Sequence, residues 1–133
     1  MHANALGRFR PQFLSILRIV TALLFLEHAT QKLFAFPPGR MPAAHIGTRI
    51  WFIGVLELVG GLLLTVGYYT RLAAFILSGE MAVAYWSAHD PHSFFPIVNG
   101  GEAAILFCFI YLYITASGPG PWSIDAVRKS PMA

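Results

Sequence analysis

An all-α, membrane-embedded bundle of four helices is the fold class this sequence predicts, and three observations predict it. Apolar residues make up 56% of the 133 and charged residues only 11%, against the roughly 25% charged that soluble domains carry. The apolar residues gather in four long runs, each near the ~20 residues that a bilayer core requires of a helix. Clusters of proline, glycine and polar residues separate the runs. The net charge of +3 is scattered over the ends of the runs, so the expected partner is the lipid bilayer and not nucleic acid. A single cysteine, Cys108, excludes an intrachain disulfide and any multi-cysteine metal or iron–sulfur site. The chain reads as one domain over residues 1–133, with spans at about 12–36, 47–69, 72–88 and 99–116.

The first span opens at Pro11, which suits the first turn of a helix. A basic start before an apolar run resembles a signal peptide, but Glu27, His28, Gln31 and Lys32 follow without a small-residue cleavage site, so the span is read as retained. His28 and Lys32 stand four residues apart on one face. Lys32 taken alone reads as an ammonium snorkelling to the interface; Glu27 and His28 lie too deep for that. Residues 36–47 hold three prolines and two glycines and form the longest connection, an ordinary linker in the plain reading and a lid in the functional one.

The second span carries Glu57 directly before Gly60 and Gly61. Hydrocarbon cannot solvate a carboxylate, so Glu57 is expected to face protein or a wet cavity. Gly54, Glu57 and Gly61 share one helix face, which brings a neighbouring helix close to the carboxyl group. Tyr68, Tyr69 and Arg71 mark an interface and a tight turn. In the third span Ala74, Ser78 and Ala82 form a small-residue packing stripe, with Glu80 on another face. The fourth span has Glu102 in its first turn and Cys108 as a packing residue at mid-length. Gly118 and Pro119 stop it, and Ser123 is placed to cap a short terminal turn.

Charge asymmetry sets the expected orientation. Arg8, Arg10, Arg18, Arg71, Arg128 and Lys129 fall on one side of an even-span arrangement, and Lys32, Arg40 and Arg49 on the other. Both termini are therefore expected in the cytoplasm, in a multi-pass protein of the inner (plasma) membrane. Helical rise then puts Glu57 and Glu80 near the midplane and Glu27 and His28 roughly 5 Å outward. Glu102 lies further out on the same side. An outward polar pocket of Glu27, His28, Lys32, Glu57, Glu80 and Glu102 follows, placed to exchange protons. Each intramembrane carboxylate costs at least about 2.5 kcal/mol on insertion scales, while structural interhelical hydrogen bonds return only about 0.6 kcal/mol. No metal is expected: Glu27 and His28 are adjacent, unlike the Glu-x-x-His of di-iron bundles, and a haem would need a second interior histidine.

Four stretches carry a family resemblance: Arg18 with HATQKLF (residues 28–34), GVLELVGGLLLTVGYYTRLAA (54–74), NGGEAAILF (99–107) and GPGPWSID (118–125). Together they resemble the DoxX family of small four-span membrane proteins over about residues 14–125. Ala29 stands where that family often has glycine, and Glu80 is an acid where many members are apolar. The resemblance implies a membrane part of a thiosulfate:quinone oxidoreductase, or a partner in oxidative-stress complexes handling thiols and superoxide. No redox cofactor motif is present, so enzymatic activity is left open. Two readings stand: a redox subunit whose pocket binds a quinone-like molecule or small anion, and a non-catalytic scaffold for another membrane or redox subunit. Self-association through the small-residue face is compatible with both.

Overall fold

The computed structural model describes residues 4–39 and 41–128; Arg40 and Lys129, used in the charge count, lie outside them. The described residues are helical and contain no strand: α1 (Arg10–Phe34), α2 (Arg49–Val66), α3 (Thr70–Ala84), α4 (Pro96–Asn99), α5 (Glu102–Ser117) and α6 (Ile124–Arg128). A π turn over Tyr85–His89 and a 3-10 turn over Asp90–His92 extend α3.

Local chemistry sets the helix ends. Pro11 occupies the first turn of α1, which stops at Ala35 in the left-handed region, with its N–H donated to Gln31 and Thr30 carbonyls. The Thr48 hydroxyl caps α2 by accepting from the Trp51 N–H at 3.3 Å, and Gly67 ends it at φ 69°. The start of α3 is capped from far away in the chain: the Asp125 carboxylate accepts from the Tyr69 N–H at 3.1 Å and the Thr70 N–H at 2.9 Å, two donors that helix geometry leaves unpaired.

Neighbouring helices run antiparallel. Gly54 lies against Leu33 and Gly61 against Leu26, so close that a Cβ would stand 3.0 Å and 2.6 Å from those leucines; this face brings α1 onto α2. Gly60 faces the other way, onto Leu77 of α3. The Ser78 hydroxyl donates to the Cys108 carbonyl at 2.7 Å and joins α3 to α5, with Ala74 buried beside it and Ala82 half-buried. Between α1 and α5 the contact is aromatic: Phe25 meets Phe107 and Tyr111 edge-on at 5.4 Å each, and the Tyr111 hydroxyl donates to the Thr21 carbonyl at 3.0 Å.

Helix lengths are uneven, and one expectation, the placement of Arg18, changes. Among the described residues, the helices Gly7–Phe34 (28 residues) and Arg49–Val66 (18 residues) are long and apolar enough to cross a membrane by length and composition. The third and fourth runs give α-helices of 15 and 16 residues. Within the fourth run α5 starts at Glu102, because Gly100 turns left-handed at φ 73° and the Asn99 side chain accepts from the Gly101 N–H at 2.7 Å. Arg18, counted above as an interface cation, is fully buried. Its Nε donates to the Leu64 carbonyl at 2.8 Å, and its two terminal nitrogens donate to the carbonyls of Trp122, at 2.6 Å, and Pro119.

That guanidinium holds the GPGPWSID segment across one end of the helices, called here the tail end. The Trp122 N–H donates to the Ser15 hydroxyl at 3.1 Å and the Asp125 N–H to the Gly67 carbonyl at 2.9 Å. The Ser123 hydroxyl caps α6, accepting from the Ala126 N–H at 3.1 Å. A Cβ on Gly67 would lie 2.3 Å from the Cβ of Ser123. Gly67→Ala is therefore expected to cost about 1–2 kcal/mol for the left-handed backbone and about 1–3 kcal/mol more for overpacking, read as a lowered thermal midpoint in detergent.

Candidate functional site

At the end opposite the tail, the helices enclose a cavity of about 1020 Å³. Its polar wall comes from His28 and Lys32 on α1, Arg49 and Glu57 on α2, Glu80 on α3 and His89 in the π turn. Ile53, Met81, Ala104 and Phe107 form much of the apolar wall. Gly39, Met41 and Pro42 of the long connection also line it. That connection is tied down where the Ala44 N–H donates to the Lys32 carbonyl at 2.7 Å and the Gln31 amide to the Pro37 carbonyl at 3.3 Å.

The central contact is an ion pair. Lys32 Nζ lies 3.0 Å from Oε1 and 2.8 Å from Oε2 of Glu57, with 1% of the glutamate side chain exposed and 30% of the lysine. Lys32 therefore turns inward instead of snorkelling, because it is the cation within reach of a carboxylate that water cannot solvate. Gly54 allows this: a Cβ there would stand 3.2 Å from the Lys32 Cβ. Opposite, Glu80 presents a buried Oε2 with no hydrogen-bond partner among the described residues. An orphaned buried oxygen costs about 1–3 kcal/mol, and this carboxyl group lines the cavity. His28 packs edge-on against Phe107 at 5.9 Å. Nδ1 of His89 lies 3.1 Å from the Asn99 carbonyl, which holds the imidazole at the rim.

Of the six residues expected in the pocket, His28, Lys32, Glu57 and Glu80 come together, whereas Glu27 and Glu102 do not line the cavity. Glu27 and its neighbour His28 are both exposed, but adjacent residues on a helix point about 100° apart, and His28 is the one that opens onto the cavity. Glu102 is the exposed first residue of α5, and Ala103, Ala104 and Phe107 face the cavity in its place. Sequence reasoning missed Arg49, weighed only as a topology charge, and His89. Among the described residues no group of three or more His, Cys, Asp or Glu side chains is arranged to hold a metal ion. Hydrogen-bond donors and carboxylates set against aromatic and aliphatic walls are suited to a small amphipathic molecule.

The DoxX family model matches residues 13–90. The chain belongs to the DoxX family. An uncharacterized protein of Haemophilus influenzae is 44% identical over 127 residues, covering 92% of this chain and 95% of its own length. An uncharacterized membrane protein of Mycobacterium tuberculosis is 28% identical over 132 residues, covering 86% of this chain and 80% of its own. No solved structure matches the chain. The DoxX match spans α1 to α3 and so contains Arg18, the Lys32–Glu57 pair and Glu80, while Phe107 and the tail lie beyond it.

Breaking the ion pair from one side leaves a buried, unpaired carboxylate. Lys32→Met is expected to destabilise this DoxX protein by roughly 3 kcal/mol, the low end for a buried pair because the lysine is partly open. The double variant Lys32→Met, Glu57→Leu should recover most of that loss, measured as thermal midpoints in the same detergent.

Proposed function

We propose that this DoxX membrane protein is a four-helix, multi-pass protein of the inner (plasma) membrane with both termini in the cytoplasm, and that its cavity binds the head of a quinone-like molecule within a redox system. The orientation rests on Arg8, Arg10, Arg71 and Arg128, which stay at the tail end after Arg18 is withdrawn into the interior. At the cavity end Lys32 is neutralised by Glu57, so the basic bias toward the tail end persists. The cavity then opens in the non-cytoplasmic half.

The observation that carries the functional reading is the meeting, in one cavity, of a paired Lys32–Glu57, an imidazole at His28 and a carboxyl oxygen of Glu80 without a partner. Quinone carbonyl oxygens accept hydrogen bonds, and Lys32, His28 and Arg49 are donors of the needed kind. Phe107 and Met81 offer a flat apolar wall for a ring. A bound quinone supplies electron uptake coupled to proton uptake at its oxygens. Glu80 and His28 are the groups of this chain suited to hold and pass such protons. Electrons would come from another subunit, of the sulfur- or thiol-linked kind the family resemblance implies; catalysis by this chain alone is no part of the proposal.

A scaffold reading draws on the same ion pair, since Lys32–Glu57 also ties α1 to α2. The two readings separate on bound ligand. Protein purified in mild detergent, extracted and examined by mass spectrometry beside a folded Glu57→Ala variant, is expected to yield a quinone that the variant lacks. An extract empty in both, with a second protein co-purifying, would favour the scaffold.

A further inference from the structure

The helices α2 and α3 touch where Leu77 packs onto Gly60, and a Cβ on that glycine would stand 2.8 Å from the leucine. The seam differs on the two sides of this contact. Toward the cavity end, Ile53 and Glu57 of α2 face Gly79, Glu80 and Val83 of α3, and all five line the cavity. Toward the tail end, the same seam continues as a surface groove of about 120 Å³ whose walls include Leu56, Val59, Leu72 and Ile76. Those four side chains are between 39% and 52% exposed.

Residues of the cavity and of the groove follow one another along common helix stripes. On α3, Leu72, Ile76, Gly79 and Val83 recur at intervals of four, three and four residues, and so lie on one face. The first two belong to the groove and the last two to the cavity rim. On α2, Ile53, Leu56, Gly60 and Leu63 follow the same rule, the first at the cavity and the rest in the groove. Gly79 marks the crossing. Unlike Gly54, Gly60 and Gly61, which neighbouring side chains press upon, Gly79 is exposed and a Cβ there would meet nothing within 4 Å. Packing does not require glycine at this position, and mid-helix glycine costs about 1 kcal/mol relative to alanine. What its bare surface provides is an opening beside Glu80.

We propose that this seam is a tail-binding site and an entry from the lipid: an amphiphile passes sideways over Gly79, its polar head held in the cavity and its apolar chain laid in the groove between α2 and α3. The inference rests on the reading that the cavity binds a quinone-like head. It commits the ligand class to molecules with a long apolar chain that reach the site from the bilayer. The polar groups are confined to the cavity, and the groove offers apolar walls over the roughly 10 Å from Gly79 to Leu72, a division that fits a head-and-tail molecule.

The probe is a dimethoxy-methyl-benzoquinone bearing an alkyl chain with a diazirine at its far end, photolysed with the full chain in lipid nanodiscs. Expected labelling falls on peptides holding Leu56, Val59, Leu72 or Ile76 and is competed by the unlabelled decyl benzoquinone. Gly79→Phe, which has open space for its ring, should lower that labelling at least about tenfold at an unchanged thermal midpoint, while Gly79→Ala labels as the parent does. Competed labelling on other helix faces, or full labelling of Gly79→Phe, would overturn the tail site and leave the cavity reading standing. Labelling that no quinone competes, with no quinone retained on purification, would remove both.

Discussion

One carboxylate in an apolar helix organises this molecule. Glu57 sits at the middle of α2, where neither water nor lipid can stabilise its charge, and the cation that pairs with it, Lys32, stands on another helix. Bringing Lys32 to within 2.8 Å requires the end of α1 to lie directly on α2. That approach is possible because Gly54 and Gly61 remove the side chains that would hold the helices apart. Ion pair and glycine face are thus one device. The helix crossing they set leaves the lysine at the edge of the cavity, partly open to it.

The opposite end is held by a second buried charge with a different solution. Among the described residues Arg18 has no carboxylate in hydrogen-bond contact; its donors are satisfied by three backbone carbonyls from α2 and the segment after α5. Asp125, itself fully buried, spends its carboxylate on the two free N–H groups that begin α3. The GPGPWSID segment therefore links three helix ends, and Gly67 and Gly120 are needed where it touches α2 and α1. With the tail end tied in this way, the open volume of the molecule lies at the other end, around His28, Glu57 and Glu80.

The four faces between helices are not equivalent. α1 on α2 and α3 on α5 are close, small-residue packings, whereas α1 meets α5 through large rings at Phe25, Phe107 and Tyr111. α2 meets α3 at Gly60 and Leu77 and parts on the cavity side of them. Wide spacing at the cavity end is the consequence of this unequal packing. It gives Glu80 a place beside open volume, with one oxygen that no described side chain or backbone group satisfies.

Composition and periodicity alone determined that the chain is helical and of membrane character, because apolar runs of that length and a deficit of charge have few other physical outcomes. They also determined that Glu57 needs a partner and that a glycine face would deliver one, since both follow from the cost of a bare carboxylate and from helical spacing. Depth along each helix was legible too, which is why His28, Lys32, Glu57 and Glu80 were grouped before any packing was known. Rotation about each helix axis was not legible. Glu27 and His28 have nearly the same depth, and the packing of α1 against Phe107 decides that His28, rather than Glu27, opens onto the cavity. The role of Arg18 was hidden for a related reason: a basic residue near a helix end reads as an interface charge until a distant segment folds back to supply carbonyls. Tertiary structure decided those matters because they depend on contacts between residues about 80–100 positions apart, such as Arg18 with Trp122, which no local spacing encodes.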